Sequence, residues 1–247
     1  MEVILLIDVG NTSLKWLVTP KVYFKPLEYG AIPLSELEKG LKILRKIWIK
    51  NGRPPVFFAS VKPSVNPALE NLFHKPRMVS VCDVQKLIDI NYKTPETLGV
   101  DRLLNALGGL NYGETFAVVS LGSATVVDLI LNRTFQGGSI FLGLENHLKC
   151  LFNRTEQLPL VKLEKDISIP GKSTRESILS GVLIGTIYSI KGFLEEYSEK
   201  FEINLVLLTG GYADTVFNWL VGKLKTLDFI LDKFLTFKGL FRISQLD

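Results

Sequence analysis

The segment with the most chemical content is Asp8-Val9-Gly10-Asn11-Thr12-Ser13-Leu14-Lys15. An apolar run from Val3 to Ile7 delivers a carboxylate at Asp8. A glycine turn with an amide and two hydroxyls follows, and then a lysine. Gly10 lets the backbone approach a ligand closely. Turn N–H groups and the Thr12 and Ser13 hydroxyls suit phosphate oxygens, and the Lys15 ammonium can neutralise their charge. Asp8 can hold Mg²⁺ directly or through water. A plain hairpin would use the same residue types, because Asn, Gly and Thr favour turns. This segment alone leaves both readings open.

Two further glycine turns follow strand-like runs. Ser120-Leu121-Gly122-Ser123-Ala124-Thr125 is the first, and Leu207-Leu208-Thr209-Gly210-Gly211 the second. Three such turns are more than one bland hairpin, and together they suggest a nucleotide held in a cleft. Asp101-Arg102 is a second charged pair. By itself it reads equally as a helix start, where Asp is favourable in the first turn.

The elements that must position these residues have a repeated pattern. Val3–Val18 reads as apolar run, polar glycine turn and second strand, and Phe116–Leu131 reads the same way. The spacing predicts a helix over 35–50, with Ser35 as N-cap, and strands at 56–59 and 78–81. Short helices are expected at 64–73 and 101–110, and a strand near Phe135 ends at a Gly137-Gly138 turn. One long helix or two abutting helices cover 173–201, a strand covers 204–209, and a helix starts at about Ala213. The duplication predicts two domains, 1–112 and 113–247, with no linker or low-complexity stretch between them.

Composition narrows the function classes. Of 247 residues, 47% are hydrophobic and 22% charged, and the net charge is +4. The basic residues form no stripe, so nucleic acid is not an expected partner. Two Cys, Cys82 and Cys150, and two His, His74 and His147, are too few for a disulfide scaffold or a Cys- or His-based metal module. Both cysteines are expected to be buried. No apolar run approaches the roughly 20 residues of a membrane span, and the start of the chain reads as a buried strand. A cytoplasmic protein is expected.

Taken in order, these residues resemble the type III pantothenate kinase family, within the acetate kinase, sugar kinase and actin superfamily. The resemblance runs from Asp8 to Leu240. Its first phosphate motif stands at Asp8–Thr12, its substrate motif at Tyr92–Arg102, and its second phosphate motif at Ser120–Asp128. Gly137-Gly138, Gly171–Thr174, Thr209–Gly211 and Leu235–Leu240 follow in the family's order. The resemblance implies an α/β protein of the actin-like ATPase superfamily: two ribonuclease H-like domains, each a mixed sheet flanked by helices.

It also implies transfer of the ATP γ-phosphate to the terminal hydroxyl of pantothenate, the first step of coenzyme A biosynthesis, with Mg²⁺ accompanying ATP. ATP-binding positions fall on Asp8, Val9, Gly10, Asn11, Thr12, Ser13, Leu14, Lys15 and Ser123. Asp101 falls on the catalytic base. Substrate positions fall on Tyr92, Gly99, Val100, Asp101, Arg102 and Thr174. A homodimer with the substrate site near its interface is implied, and the apolar 178–187 stretch is expected either to pack between the domains or to form a dimer surface.

One position departs from the pattern. Ser120 stands where the family has the Asp assigned to a monovalent cation, K⁺ or NH₄⁺, and a hydroxyl is a poorer cation ligand than a carboxylate. Dependence on that cation is therefore open. Two other functions remain in view: a non-catalytic regulatory or accessory protein on the same scaffold, and a kinase of another small alcohol. Gly171-Lys172-Ser173-Thr174 resembles the tail of a P-loop, but no apolar strand leads into it.

Overall fold

A computed structural model describes residues 2–164 and 167–246 of the chain. It divides into two compact units, Met1–Tyr112 with Phe234–Asp247, and Gly113–Lys233.

In the first unit, strands β1 (Val3–Val9), β2 (Ser13–Pro20) and β3 (Glu28–Pro33) precede helix α1 (Leu37–Lys50). Strand β4 (Val56–Ser60), α2 (Asn66–Leu72), β5 (Arg77–Met78), α3 (Val81–Val84), β6 (Asp89–Ile90) and α4 (Val100–Gly109) follow. The sheet order is β3-β2-β1-β4-β5, with β1 antiparallel to β2 and parallel to β4. The run VILLIDV places β1 centrally because all but its first residue is buried. Helix α1 lays Leu44 and Ile47 into the core formed by Leu5, Ile7, Val9, Leu14 and Phe58.

In the second unit, β7 (Phe116–Leu121), β8 (Ala124–Leu131) and β9 (Thr134–Leu142) precede helix α5 (Leu144–Arg154). A continuous helical stretch then runs through α6 (Thr174–Leu179), a π turn (Ser180–Ile184) and α7 (Gly185–Phe201). Strand β10 (Leu205–Thr209), α8 (Ala213–Lys223) and β11 (Asp228–Leu231) complete the unit. Its strands lie in the order β9-β8-β7-β10-β11, with β7 antiparallel to β8 and parallel to β10. That is the order and sense of the first unit's sheet, so the repeat read from the hairpins extends through five strands in each unit.

The last helix, α9 (Leu235–Ser244), packs in the first unit rather than in a second domain of 113–247. The cause is a close backbone crossing. A Cβ on Gly108 of α4 would lie 2.1 Å from the Leu235 carbonyl oxygen, and one on Gly239 of α9 would lie 2.1 Å from that of Leu104. Thr236 also donates to the Asn105 side chain at 2.7 Å. Every residue of α4 except Asp101 is buried.

Other expectations shift in detail. Ser35 makes no cap, because a 3₁₀ turn at Leu34–Glu36 comes first and Glu36 precedes α1. The strand expected at 78–81 ends at Met78, where the Ser80/Asp83 capping box starts α3. Gly137-Gly138 lies inside β9, not in a turn after it. Gly137 takes φ 99° beside a register shift in the β8–β9 ladder, and a Cβ on Gly138 would meet Asp128 Oδ1 at 2.5 Å. Both cysteines are exposed thiols rather than buried small apolar residues.

Among the described residues, Thr174–Phe201 is long and apolar enough to cross a membrane by length and composition. Half of its most apolar window is buried in the protein, where Leu179, Val182, Leu183 and Ile187 join the second core.

Candidate functional site

The β1–β2 hairpin builds the first cluster. Antiparallel register sets Asp8 directly opposite Lys15, and the ammonium lies 3.3 Å from Asp8 Oδ2. The Asp8 side chain is only 8% exposed and that of Lys15 32%. The Asp8 charge raises the Lys15 pKa above its ordinary value against the opposing cost of burial, and Tyr29 and Asp101 raise it further. Lys15 is therefore held as a cation, chiefly by its pairing with Asp8.

Asp101 stands in the first turn of α4 and belongs to the same electrostatic cluster. Its pKa is raised, first by desolvation and then by the charge of Asp8, while hydrogen bonding and the Arg102 charge oppose the rise. The Arg102 N–H donates to Asp101 Oδ1 at 2.9 Å. Gly99 serves this arrangement, because a Cβ there would sit 2.5 Å from Asp101 Oδ1. Arg102 is itself buried, with its guanidinium 5.9 Å over the Tyr92 ring. Val100, at the start of the helix, is buried. Asp8, Lys15, Tyr92, Gly99, Val100, Asp101 and Arg102 are all positioned within the first unit.

The turn between β1 and β2 is Gly10-Asn11-Thr12, closed by Gly10 N–H donating to the Ser13 carbonyl at 3.0 Å. Asn11 and Thr12 are exposed, whereas Val9 and Leu14 on either side are buried. A Cβ at Gly10 would meet its nearest neighbour, the Ser13 carbonyl oxygen, at an ordinary 3.5 Å. Local packing does not require glycine there.

The second unit carries the corresponding hairpin. Ser120 lies opposite Val126, one residue before the end of β7, and Gly122-Ser123 forms the turn. Gly122 N–H donates to the Ala124 carbonyl at 3.0 Å. A Cβ at Gly122 would also have room, its nearest neighbour being 3.9 Å away.

Two segments press on this turn. Gly143, which precedes α5, donates its N–H to the Ser123 carbonyl at 3.2 Å, and the Asn146 amide donates to the same oxygen at 2.8 Å. From the β10–α8 turn, Gly210 at φ 97° lies against the Leu121 backbone, and the Tyr212 N–H donates to the Leu121 carbonyl at 3.1 Å. A side-chain bond joins the two segments: the Tyr212 hydroxyl donates to Glu145 Oε2 at 2.6 Å. Lys149 pairs with Glu145 at 2.7 Å. Desolvation, with the hydrogen bond to Glu145, pushes the Tyr212 pKa to about 12, and the hydrogen bonds from Lys149 and Tyr212 lower that of Glu145. The sequence singled out the Gly210-Gly211 turn but neither Tyr212 nor Glu145. They are 67 residues apart and share no motif.

Thr174 is exposed in the first turn of α6. It borders a largely apolar groove of about 430 Å³, shared with His147, Leu151, Leu158 and Ile178 of the same unit. The P-loop-like segment before it is a helix cap: Ser173 Oγ accepts the Glu176 N–H, and the Glu176 carboxylate accepts the Lys172 N–H. Among the described residues, no cluster of three or more His, Cys, Asp or Glu is arranged to hold a metal.

Comparison with known proteins gives one consistent picture. A family model described as type III pantothenate kinase matches residues 4–196. The type III pantothenate kinase of Flavobacterium johnsoniae is 34% identical over 238 residues, spanning 94% of this chain and 93% of that protein. That of Sulfurihydrogenibium sp. is 31% identical over 205 residues, spanning 82% and 77%. Among solved structures, a Campylobacter jejuni protein named for the Baf family of transcriptional activators matches with a TM-score of 0.64 and 22% identity, over 98% of both chains. Component A of (R)-2-hydroxyglutaryl-CoA dehydratase from Acidaminococcus fermentans matches with a TM-score of 0.59 and 12% identity, over 100% of this chain and 97% of that one. The structural likenesses establish the shared fold.

Proposed function

The chain belongs to the type III pantothenate kinase family, with the actin-like ATPase fold, and phosphorylates pantothenate in coenzyme A biosynthesis. On that premise we propose that Asp101 is the general base of the transfer and that the two hairpin turns hold ATP. The observation that carries the proposal is the Asp8–Lys15–Asp101 cluster. A carboxyl whose pKa is raised by desolvation and by a neighbouring carboxylate is a better proton acceptor than an ordinary aspartate. An alcohol attacking the γ-phosphorus must lose its proton, and Asp101 takes it. Positioning and charge neutralisation do most of the remaining work.

In this proposal, the exposed turn residues Asn11 and Thr12 present their backbone N–H groups to phosphate, with the hydroxyls of Thr12 and Ser13 and the amide of Asn11, while the Gly10 N–H closes the turn on Ser13. Lys15 offsets phosphate charge. Ser123 binds ATP from the second turn. The spare room at Gly10 and Gly122 supports this, since a glycine that its own fold does not demand leaves ligand approach as the reason for it.

Arg102 pairs with the pantothenate carboxylate, its fork held over Tyr92, while Gly99, Val100 and Thr174 complete the substrate contacts. Mg²⁺ fits as a companion of ATP rather than as a resident ion. Asp8 offers one carboxylate, and Mg²⁺ normally takes one or two with substrate phosphates and water. When bound it neutralises charge on the phosphates. For K⁺ or NH₄⁺, Ser120 offers only a hydroxyl, so weak monovalent-cation dependence is proposed.

A homodimer is proposed through the exposed side of the helical stretch, where Gly181, Gly185, Gly192 and Tyr188 face outward. A monomer in analytical ultracentrifugation would remove that part. A cytoplasmic location is proposed because two exposed free thiols suit a reducing compartment; cell fractionation tests it.

The function is tested by ADP release from Mg-ATP with and without pantothenate, and Asp101→Asn tests the base. Pantothenate-dependent release should fall about 10³-fold in the variant. Near-normal turnover would remove Asp101 from the role.

A further inference from the structure

We propose that the Tyr212–Glu145 hydrogen bond is a tie that positions the second phosphate turn for ATP, making Tyr212 and Glu145 nucleotide-specific positioning residues. The inference rests on the reading of the Ser123 turn as an ATP-binding element. Neither residue needs to touch ATP; both act through the turn.

The geometry is a closed circuit within the second unit. The turn Leu121–Ala124 is gripped on one side by the Gly143–Asn146 segment, through two hydrogen bonds to the Ser123 carbonyl. On the other side it is gripped by Gly210–Tyr212, through the Leu121 carbonyl. Both grips are backbone-close: a Cβ at Gly143 would lie 2.1 Å from the Gly122 oxygen, and one at Gly210 2.4 Å from the Leu121 oxygen. A shift in either segment must therefore move the turn.

The side-chain bond between Tyr212 and Glu145 closes the circuit at 2.6 Å. A phenol donating to a carboxylate is the short, charge-assisted kind of hydrogen bond. Lys149, one helical turn along α5, holds Glu145 from its own helix. The Tyr212 ring also packs against the second core, so the hydroxyl is delivered from a fixed base. Packing accounts for the ring but not for the hydroxyl, whose partner lies on another element at a partly exposed site. A bond there contributes little to global stability. It can still fix the angle between two elements that share a turn.

The test uses the full chain and steady-state ADP release. KM for ATP and KM for pantothenate are measured separately for Tyr212→Phe, Glu145→Ala, the double variant and Ser123→Ala, with a thermal melt of each. Tyr212→Phe keeps the ring and removes the hydroxyl. Both single variants should raise KM for ATP about three- to tenfold, the loss expected for one hydrogen bond at a partly exposed site. KM for pantothenate and kcat should stay within about twofold. Because the two residues form one tie, the double variant should be no worse than the more impaired single variant.

Unchanged KM for ATP in the single variants, an equal rise in both KM values, or multiplying effects in the double variant overturns the tie. If Ser123→Ala raises KM for ATP and the tie variants do not, the tie fails and the ATP-site reading stands. If Ser123→Ala also changes nothing, the ATP-site reading fails and takes the tie with it. Should Tyr212→Phe melt early, Glu145→Ala at its exposed position decides the outcome alone.

Discussion

The two hairpins occupy the same place in two sheets of the same strand order, yet they are chemically unlike. In the first, Asp8 faces Lys15 across the ladder; at the corresponding place in the second, Ser120 faces Val126. The first hairpin pairs charges beside its turn, and the turn's glycine is unconstrained by packing. The second carries none at the matching pair, its carboxylate Asp128 being buried farther along β8; its glycine is equally unconstrained, but the turn is gripped by two neighbouring segments. The two turns share a place in their sheets, and only the first has an ion pair beside it. On the proposed reading, the first unit holds phosphate charge and takes the proton, while the second turn orients the nucleotide.

Four tests break or sharpen that contrast. The largest effect is expected from Asp8→Ser, which gives the first hairpin the second one's side chain. It leaves Lys15 without its cross-strand partner and removes the carboxylate proposed to hold Mg²⁺. We expect kcat/KM for ATP to fall about 10²-fold, measured by ADP release; a loss under threefold would mean the two hairpins are functionally equivalent.

Next comes Gly10→Ala set beside Gly122→Ala. Each methyl fits the apoprotein, so melting temperatures should barely move while KM for ATP rises on the order of tenfold. Gly143→Ala and Gly210→Ala should instead lower the melting temperature, because a Cβ at either position meets backbone atoms at 2.1 to 2.4 Å. Equal melting losses at all four positions would contradict the distinction.

Third, Ser120→Asp gives the second hairpin a carboxylate. K⁺ should then stimulate turnover about two- to fivefold relative to Na⁺, where the natural chain shows little difference. A natural chain already strongly K⁺-dependent would show that the Ser120 hydroxyl suffices.

The smallest effect is on stability. Asp101 has a folded-state pKa above its unfolded value, so the folded protein holds the proton more tightly. Stability from this group is complete below the ordinary carboxylate range and is lost as pH rises through the folded value. Asp101→Asn removes that loss. Its melting temperature should exceed the natural chain's at neutral pH, and the gain should vanish in acid. A variant less stable at neutral pH would show that the charged carboxylate is, on balance, well satisfied.

Legibility followed the range of the forces. β1 with its turn was readable because an apolar run ending in Asp-x-Gly is a local signal, as was the β7–β8 copy. The α4 region was readable as a helix, but its nearly complete burial was not, because that depends on α9 far along the chain. A domain boundary at 112/113 puts Leu235–Leu240 in the second half, whereas its place in the first unit is fixed by Gly239 meeting the Leu104 backbone. The Asp8–Lys15 pair follows from hairpin register. Its electrostatic coupling to Asp101 needs the tertiary fold, and the Tyr212–Glu145 bond needs two elements that no pattern connects. The Ser35 cap and the strand at 78–81 failed locally: a 3₁₀ turn and a capping box competed for the same residues.

The crossing of α4 and α9 also has a consequence in time. Helix α4 carries Asp101, and its partner helix is encoded after the whole second unit. On the ribosome the second unit can close around its own core while the first still waits for its last helix. The half made first is the half finished last, and Asp101, the proposed base, is among the final groups to be set in place.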